Sequence, residues 1–323
     1  MKDVMRPVSR DAERHSILVD LLALLARRLA FIAAVAFAIV YFCFLGVGLR
    51  TNSMSAGEPR SVWTQVGPAL GATVDFFGGL LRGDLRYALG TVLTTTYPAS
   101  WRLLLTGVGV ATILGVVAGG LAAAWRRSPF ALPTLTLTVI GISIPSFFLA
   151  LLLQVIDIRF YQRTGVGLFP AYGISLHRTQ SLLPAMVAPA LVLAARPLAH
   201  ITRVTFVTLS DVLERDFIRT ARAKGLRETV VFRRHALRNA GVSILTAILV
   251  SFRFALGSLP VVEVFFSWPG VGQAMLEGIL KGDAQQVAAL GLSIGVTFLL
   301  LTLLVDLFYR WIDPRLRASE EGL

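Results

Sequence analysis

Apolar runs long enough to cross a bilayer constrain this chain more than any other feature. Six occur, at 29–49, about 103–124, about 132–155, from 182 to just before Arg196, about 240–262 and about 287–308. A helix rises 1.5 Å per residue, so roughly 20 residues traverse the ~30 Å hydrocarbon layer. Backbone in lipid must satisfy its own hydrogen bonds, so such runs predict helices. An outer-membrane barrel would show segments of about ten residues with alternating polarity, and the chain has none. The expected fold is therefore an all-α polytopic membrane protein with six transmembrane helices. Composition agrees: 55% of the 323 residues are hydrophobic and only 15% charged, against roughly 25% charged in soluble domains. A soluble enzyme, a disordered chain and a disulfide scaffold are excluded, the last because Cys43 is the single cysteine.

A net charge of +12 on so apolar a chain calls first for nucleic acid, but the distribution of charge argues otherwise. Segments 1–28, 125–131, 196–239 and 309–323 hold 21 of the 31 Lys and Arg, whereas 50–100, 156–181 and 263–286 hold 8. Positive residues accumulate on the cytoplasmic side. Six spans place both termini together, so both are expected in the cytoplasm, with the basic residues near anionic headgroups rather than nucleic acid. The basic lead 1–28 precedes a long core without a small-residue cleavage site, which reads as a retained span rather than a signal peptide. Within the lead, 17–26 either lies along the inner interface or extends span one inward. The organisation expected is a basic N-terminal segment 1–28, a first span and mixed outer segment 29–100 that folds back on the membrane surface, a five-span core 101–309 and a cytoplasmic tail 310–323.

The most informative segment is the basic stretch 196–239. From Asp211 to Asn239 it has helical character on both sides of Gly225, with Ser210 or Asp211 able to cap the first helix and Gly225 suited to the left-handed turn between them. Its run RTARAKGL, followed by HALRN, resembles the cytoplasmic loop of ABC-importer permeases of the dipeptide/oligopeptide/nickel family. The matching positions are Arg219, Thr220, Ala221, Arg222, Ala223, Lys224 and Gly225, then His235, Ala236, Leu237 and Asn239. The resemblance extends, in order, through LLRGDL at 80–85, IPSFFLALLL at 144–153, LFPAYG at 168–173, LLPAMVAPAL at 182–191, VVEVFFSWPGVG at 261–272 and LVDLFYRWIDPRLR at 304–317. The first 78 residues depart from it: relatives usually carry a longer outer segment beginning Gly-Asp-Pro, where this chain has GLRTNSMSAGEPR.

The resemblance implies a bacterial inner-membrane permease subunit of an ATP-driven importer. It would pair with a second, similar permease to form a pathway for peptides or a related solute such as a nickel chelate. Two ATP-binding subunits would dock on the loop around Ala221–Gly225, and an extracytoplasmic binding protein would deliver the solute. No G-x-x-x-x-G-K-S/T occurs around Lys2, Lys224 or Lys281, so ATP and Mg are expected on the partner ATPases and no cofactor or metal on this chain. The histidines form no H-E-x-x-H, and there is no G-x-S-x-G, so no enzyme activity is expected. The alternative is an ion-coupled secondary transporter, which needs intramembrane carboxylates; Asp306 is the one acidic residue inside an expected span, near its inner end.

Three further features complete the candidate set. Arg253 lies near the centre of span five, where a charge costs about 2.5–3.5 kcal/mol on insertion scales. It either lines the pathway and attracts an anionic solute group or anchors a helix interface. Glu263, with Trp268, Pro269 and Gly270, follows at the outer end of that span. By resemblance this piece is a re-entrant gate segment, against the plainer reading of Trp268 as an interfacial anchor. Asp313-Pro314-Arg315 reads as a helix stop.

Overall fold

A computed structural model describes residues 10–55, 62–84, 90, 92–126, 129, 131–169 and 182–312. Among these residues there is no strand, and the architecture is helical throughout. Five helices are long and apolar enough to span a membrane, or six if one sharply bent pair counts as a single span. The Asp313 stop, Leu85 of LLRGDL and 170–173 of LFPAYG lie outside the described residues.

Two compact units are present. The first joins 1–85 to 282–299. Helix α1 (Arg10–Ser55) is continuous through 17–26, so the N-terminal apolar piece extends span one rather than forming a separate element. Segment 50–100, expected to fold back, contains α2 (Trp63–Arg82), which runs back along α1. Phe77 stacks on Phe37 at 5.9 Å and Phe76 meets Phe44 edge-on at 6.0 Å. Buried Ala69, Thr73, Phe76 and Gly79 recur every three or four residues, the periodicity that keeps one helical face inward. Gly83, at φ 82°, ends α2 while Asp84 N–H reaches back to Gly79 O at 2.9 Å.

The second unit, 86–281 with 300–323, carries the functional elements. Its helices are α3 (Tyr97–Ala124), α4 (Ala131–Ser143), α5 (Ser146–Thr164), α6 (Leu182–Glu214), α7 (Asp216–Ala223), α8 (Leu237–Phe265) and α9 (Val271–Lys281). A helical turn at Glu228–Val230 and a π turn at Val231–Ala236 lead without a break into α8. Helix α10 (Ala284–Ile312) begins in the first unit and ends in the second.

Two expected spans differ from expectation. The third, read as one helix over 132–155, is α4 and α5 meeting at 99°. Pro145 is extended, at ψ 139°, and cannot donate to the α4 ladder, so the helix restarts there. The fourth was expected to end before Arg196, yet α6 continues to Glu214 with Pro189 and Pro197 inside it. Ser210 and Asp211 therefore lie within α6 and cap nothing; the residue at the start of α7 is Arg215, with Asp216 in the first turn.

Helix α6 is the centre of this unit, and it packs on α3 almost backbone to backbone. Gly107, Ala111, Gly115 and Gly119 stand four residues apart along one stripe of α3. A Cβ on Gly115 would meet Ile201 at 3.0 Å, and one on Gly119 would lie 2.5 Å from the Thr202 carbonyl oxygen. Lipid offers helices no hydrophobic drive to associate, so close approach through small residues supplies the van der Waals contact instead. The stripe is visible in the sequence as a small-x-x-x-small repeat. Substituting valine for Gly119 should lower detergent-solubilised thermal stability by about 1–3 kcal/mol, the usual penalty for overpacking. Gly109→Val, at a site with nothing within 4 Å of the new Cβ, should leave the melting temperature close to the parent.

Candidate functional site

The loop between α6 and α8 is built from a short amphipathic helix. Along α7, Ile218 and Ala221 are buried, three residues apart on one face. They join Leu209, Val212 and Leu213 of α6, Val231 and Ala236 of the π turn, and Ala240 and Ile244 of α8 in one apolar cluster. The other face is open: Arg219, Thr220, Arg222, Ala223, Lys224 and Gly225 are all exposed. Gly225 stands at φ +75°. Its N–H donates to Arg222 O at 2.9 Å, and Leu226 N–H donates to Ala221 O at 3.4 Å. This is the Schellman pattern, which satisfies the last carbonyls of α7 and reverses the chain. Arg222 then grips Glu228 across the turn through two hydrogen bonds, Nε at 2.8 Å and Nη2 at 3.2 Å. His235 is half-buried in the π turn, where its carbonyl accepts a bond from Asn239 at 2.8 Å. Next to this loop lies a cavity of about 630 Å³ with Gly120, Trp125, Arg126, Phe232 and Arg233 among its walls. The helix–turn–helix expected around Gly225 is present, starting five residues later than its expected cap.

At the other end of α8 is a second built feature. Glu263 is completely buried. Its Oε1 accepts a hydrogen bond from Ser100 Oγ at 2.5 Å, and its Oε2 accepts one from Gly272 N–H at 2.6 Å. Ser100 Oγ in turn accepts from Val271 N–H at 2.8 Å. One carboxylate thus binds the start of α3 to the start of α9 and closes the Ser267–Gly270 turn. Trp268 is buried in the cluster with Leu103, Leu104 and Phe266, and its indole N–H donates to Ala99 O at 3.0 Å. A tryptophan acting only as an interfacial anchor would leave its ring outside the fold. Gln154 of α5 adds a bond to Phe265 O at 2.5 Å, tying the broken helix pair to the same corner.

The glycines here have steric reasons. A Cβ on Gly270 would overlap the Glu263 carboxylate, and one on Gly272 would run into Pro260, 2.6 Å from its carbonyl oxygen. Pro269 is exposed, and Ser267 holds the turn at φ 47°, a region few residues other than glycine occupy.

Arg253 is separate from both features. It lies two residues from buried Ser251 and two from buried Ala255, so it projects from the opposite side of α8 and is half-exposed. Among the described residues, no group of three or more His, Cys, Asp or Glu could hold a metal ion.

Residues 112–318 match the family described as binding-protein-dependent transport system inner membrane component. The chain belongs to that family. Among its relatives, the glutathione transport system permease protein GsiC of Escherichia coli strain K12 is 38% identical over 241 residues, covering 74% of each chain. The protein of the same name from Pectobacterium atrosepticum is 34% identical over 251 residues, covering 75% of this chain and 78% of its own. The GsiC of Shigella flexneri serotype 5b is 38% identical over 241 residues. This protein is thus a multi-pass inner-membrane permease subunit of an ABC importer, a system that includes a solute-binding protein and ATPase partners. The ion-coupled secondary transporter gives way to that assignment, and the family is one of transport subunits rather than enzymes.

The Glu263 corner makes a direct expectation. Glu263→Ala leaves the Gly272 N–H unpaired in the interior and should cost about 1–3 kcal/mol. Combining it with Ser100→Ala should cost less than the sum of the two, because both remove one network. Thermal denaturation of the four detergent-purified proteins measures the coupling; strict additivity would contradict the bonding described.

Proposed function

We propose that this subunit supplies half of a pathway for peptides or a related small solute, the other half coming from a second, homologous permease. Its termini face the cytoplasm, and two ATP-binding subunits carry ATP and Mg and dock below it. The substrate reading is supported by the GsiC relatives, whose name assigns them to glutathione, a tripeptide.

The observation that carries the coupling role is the division of α7 into two faces. Ile218 and Ala221 fix the helix to α6 and α8, so a push on α7 reaches both long helices as a rigid displacement. Exposed Lys224, with Arg219 and Arg222 beside it in solvent-facing ion pairs to Asp216 and Glu228, gives this face a basic rim suited to acidic groups on an ATPase. Small Ala223 and Gly225 let a partner approach closely, and the neighbouring cavity offers a place for a partner side chain. In the same mechanism the Glu263–Ser100–Trp268 corner, with Pro269 and Gly270, is the gate-side clamp, moved by α8 from below. Arg253, on the α8 face away from the packed core, lines the pathway and attracts an anionic group of the solute.

Two measurements test these roles. Gly225→Val meets no steric obstacle but forces a β-branched residue to φ +75°, which costs about 1–2 kcal/mol locally. The importer carrying it should lose ATPase during mild-detergent affinity purification or hydrolyse ATP without uptake, whereas Gly225→Asn, a residue that tolerates this backbone region, should remain coupled. Normal co-purification and transport with valine would remove the docking role. For Arg253, the Gln variant should change uptake rate or solute preference in reconstituted vesicles; unchanged transport would assign it to an interface.

A further inference from the structure

Helix α6 is enclosed on most of its circumference, by α3, α8, α4 and α5. It is also the most buried of the candidate spans, which in α6 runs from Ala185 to Glu214. One face stays open, and that face is cationic. Arg196, His200 and Arg203 follow at i, i+4 and i+7, the spacing of a single helical stripe. Arg196 and Arg203 are exposed and His200 is half-buried. They stand between 11 and 18 residues from Ala185, where the candidate span begins.

The stripe is positioned rather than loose. The Arg196 guanidinium sits 4.9 Å from the centroid of Phe254 of α8, and His200 meets the same ring edge-on at 5.3 Å. One aromatic ring therefore orients two cationic or polar side chains from consecutive turns of α6. Neither arginine has an acidic partner among the described residues. On the open face the next acids are Asp211, about 12 Å farther along the helix from Arg203, and Glu214, which pairs with Arg126 at 3.6 Å. A guanidinium without an acidic partner on such a helix must face water or a counter-charge supplied from outside the subunit.

We propose that the Arg196–His200–Arg203 stripe is a binding site for the carboxylate groups of an anionic solute on the pathway-facing side of α6. Arg196 and Arg203 offer planar donor forks that match carboxylates, and Phe254 holds the first of them in place. The substrate class is thus acidic: a solute with two or more carboxylates, able to contact both arginines one after the other. This rests on the permease reading of the preceding section and deepens it.

A thiol reporter tests the proposal without requiring the solute. Val207, exposed and one turn beyond Arg203, is replaced by cysteine in a Cys43→Ser chain. The full importer, with its partner permease and ATPases, is reconstituted in vesicles. Modification of this chain by anionic methanethiosulfonate-ethylsulfonate and by its cationic trimethylammonium counterpart is followed by intact mass. The ratio of the two rates cancels any effect of the field on thiol ionisation. The anionic reagent should be favoured at least about tenfold relative to free cysteine, as in a charged aqueous cleft. The preference should vanish in R196Q/R203Q and survive in R196K/R203K. An unlabelled cysteine in a complex that still retains its ATPase would overturn the proposal, since the face would then be sealed against the partner permease. A ratio unaffected by the Gln pair, or lost equally with the Lys pair, would overturn it as well. Absence of the ATPase from the purified complex would instead count against the permease reading itself.

Discussion

The contact between α3 and α6 is the constraint on which the rest of the second unit depends. It brings two helices close enough that a methyl group at Gly119 would strike the Thr202 carbonyl. In hydrocarbon the alternative partner for an apolar side chain is a lipid tail, so association has to be won through contact density. Glycine at 107, 115 and 119 provides it by subtraction. Ile201 and Leu193 fill the groove that those missing side chains leave. Because α6 is fixed in this way, both α7 at its end and the cationic stripe on its free face have defined positions.

The same rigidity links the two ends of the subunit. From Glu228 the chain runs as one helical rod to Phe265, through the π turn, a span of 38 residues, or about 57 Å. One end of the rod shares a core with α7, and the other carries Glu263. The buried carboxylate at that end has its two oxygens committed to Ser100 and Gly272. Movement of the rod must therefore carry the start of α3 and the turn at Trp268 with it, or break a bonded interior network. Packed interiors do not deform continuously, so displacement at one end favours a switch between discrete arrangements.

The sequence exposes this design unevenly. Long apolar runs and the Gly225 turn were readable because hydropathy and left-handed backbone are local properties. The break at Pro145 was harder: proline is common in membrane helices, and only the packing around it decides between a kink and a restart. Glu263 was singled out for its place beside a Ser-Trp-Pro-Gly turn, but its partner Ser100 lies 163 positions earlier and no local pattern connects them. The helical α2 was hidden by the glycines and proline of the outer segment, whose contacts with Phe37 and Phe44 offset their weak propensity. In each case what was missed depends on a distant residue.

Charge marked the end of a helix poorly. A hydropathy reading stops a span where arginine begins, and on that basis Arg196 and Arg203 belonged to a cytoplasmic loop together with the basic residues around Gly225. Helix continuity separates them: eight of the ten basic residues in 196–239 lie beyond Glu214, and these two lie within α6. The distinction is physical. Charges near a headgroup are accommodated by water and lipid phosphate, whereas charges on a helix face inside the bilayer require an aqueous or ionic environment that the protein assembly must create. A helix that continues past a charge therefore leaves hydropathy alone unable to mark where it ends, and only its continuity and packing separate the arginines of α6 from those of the loop.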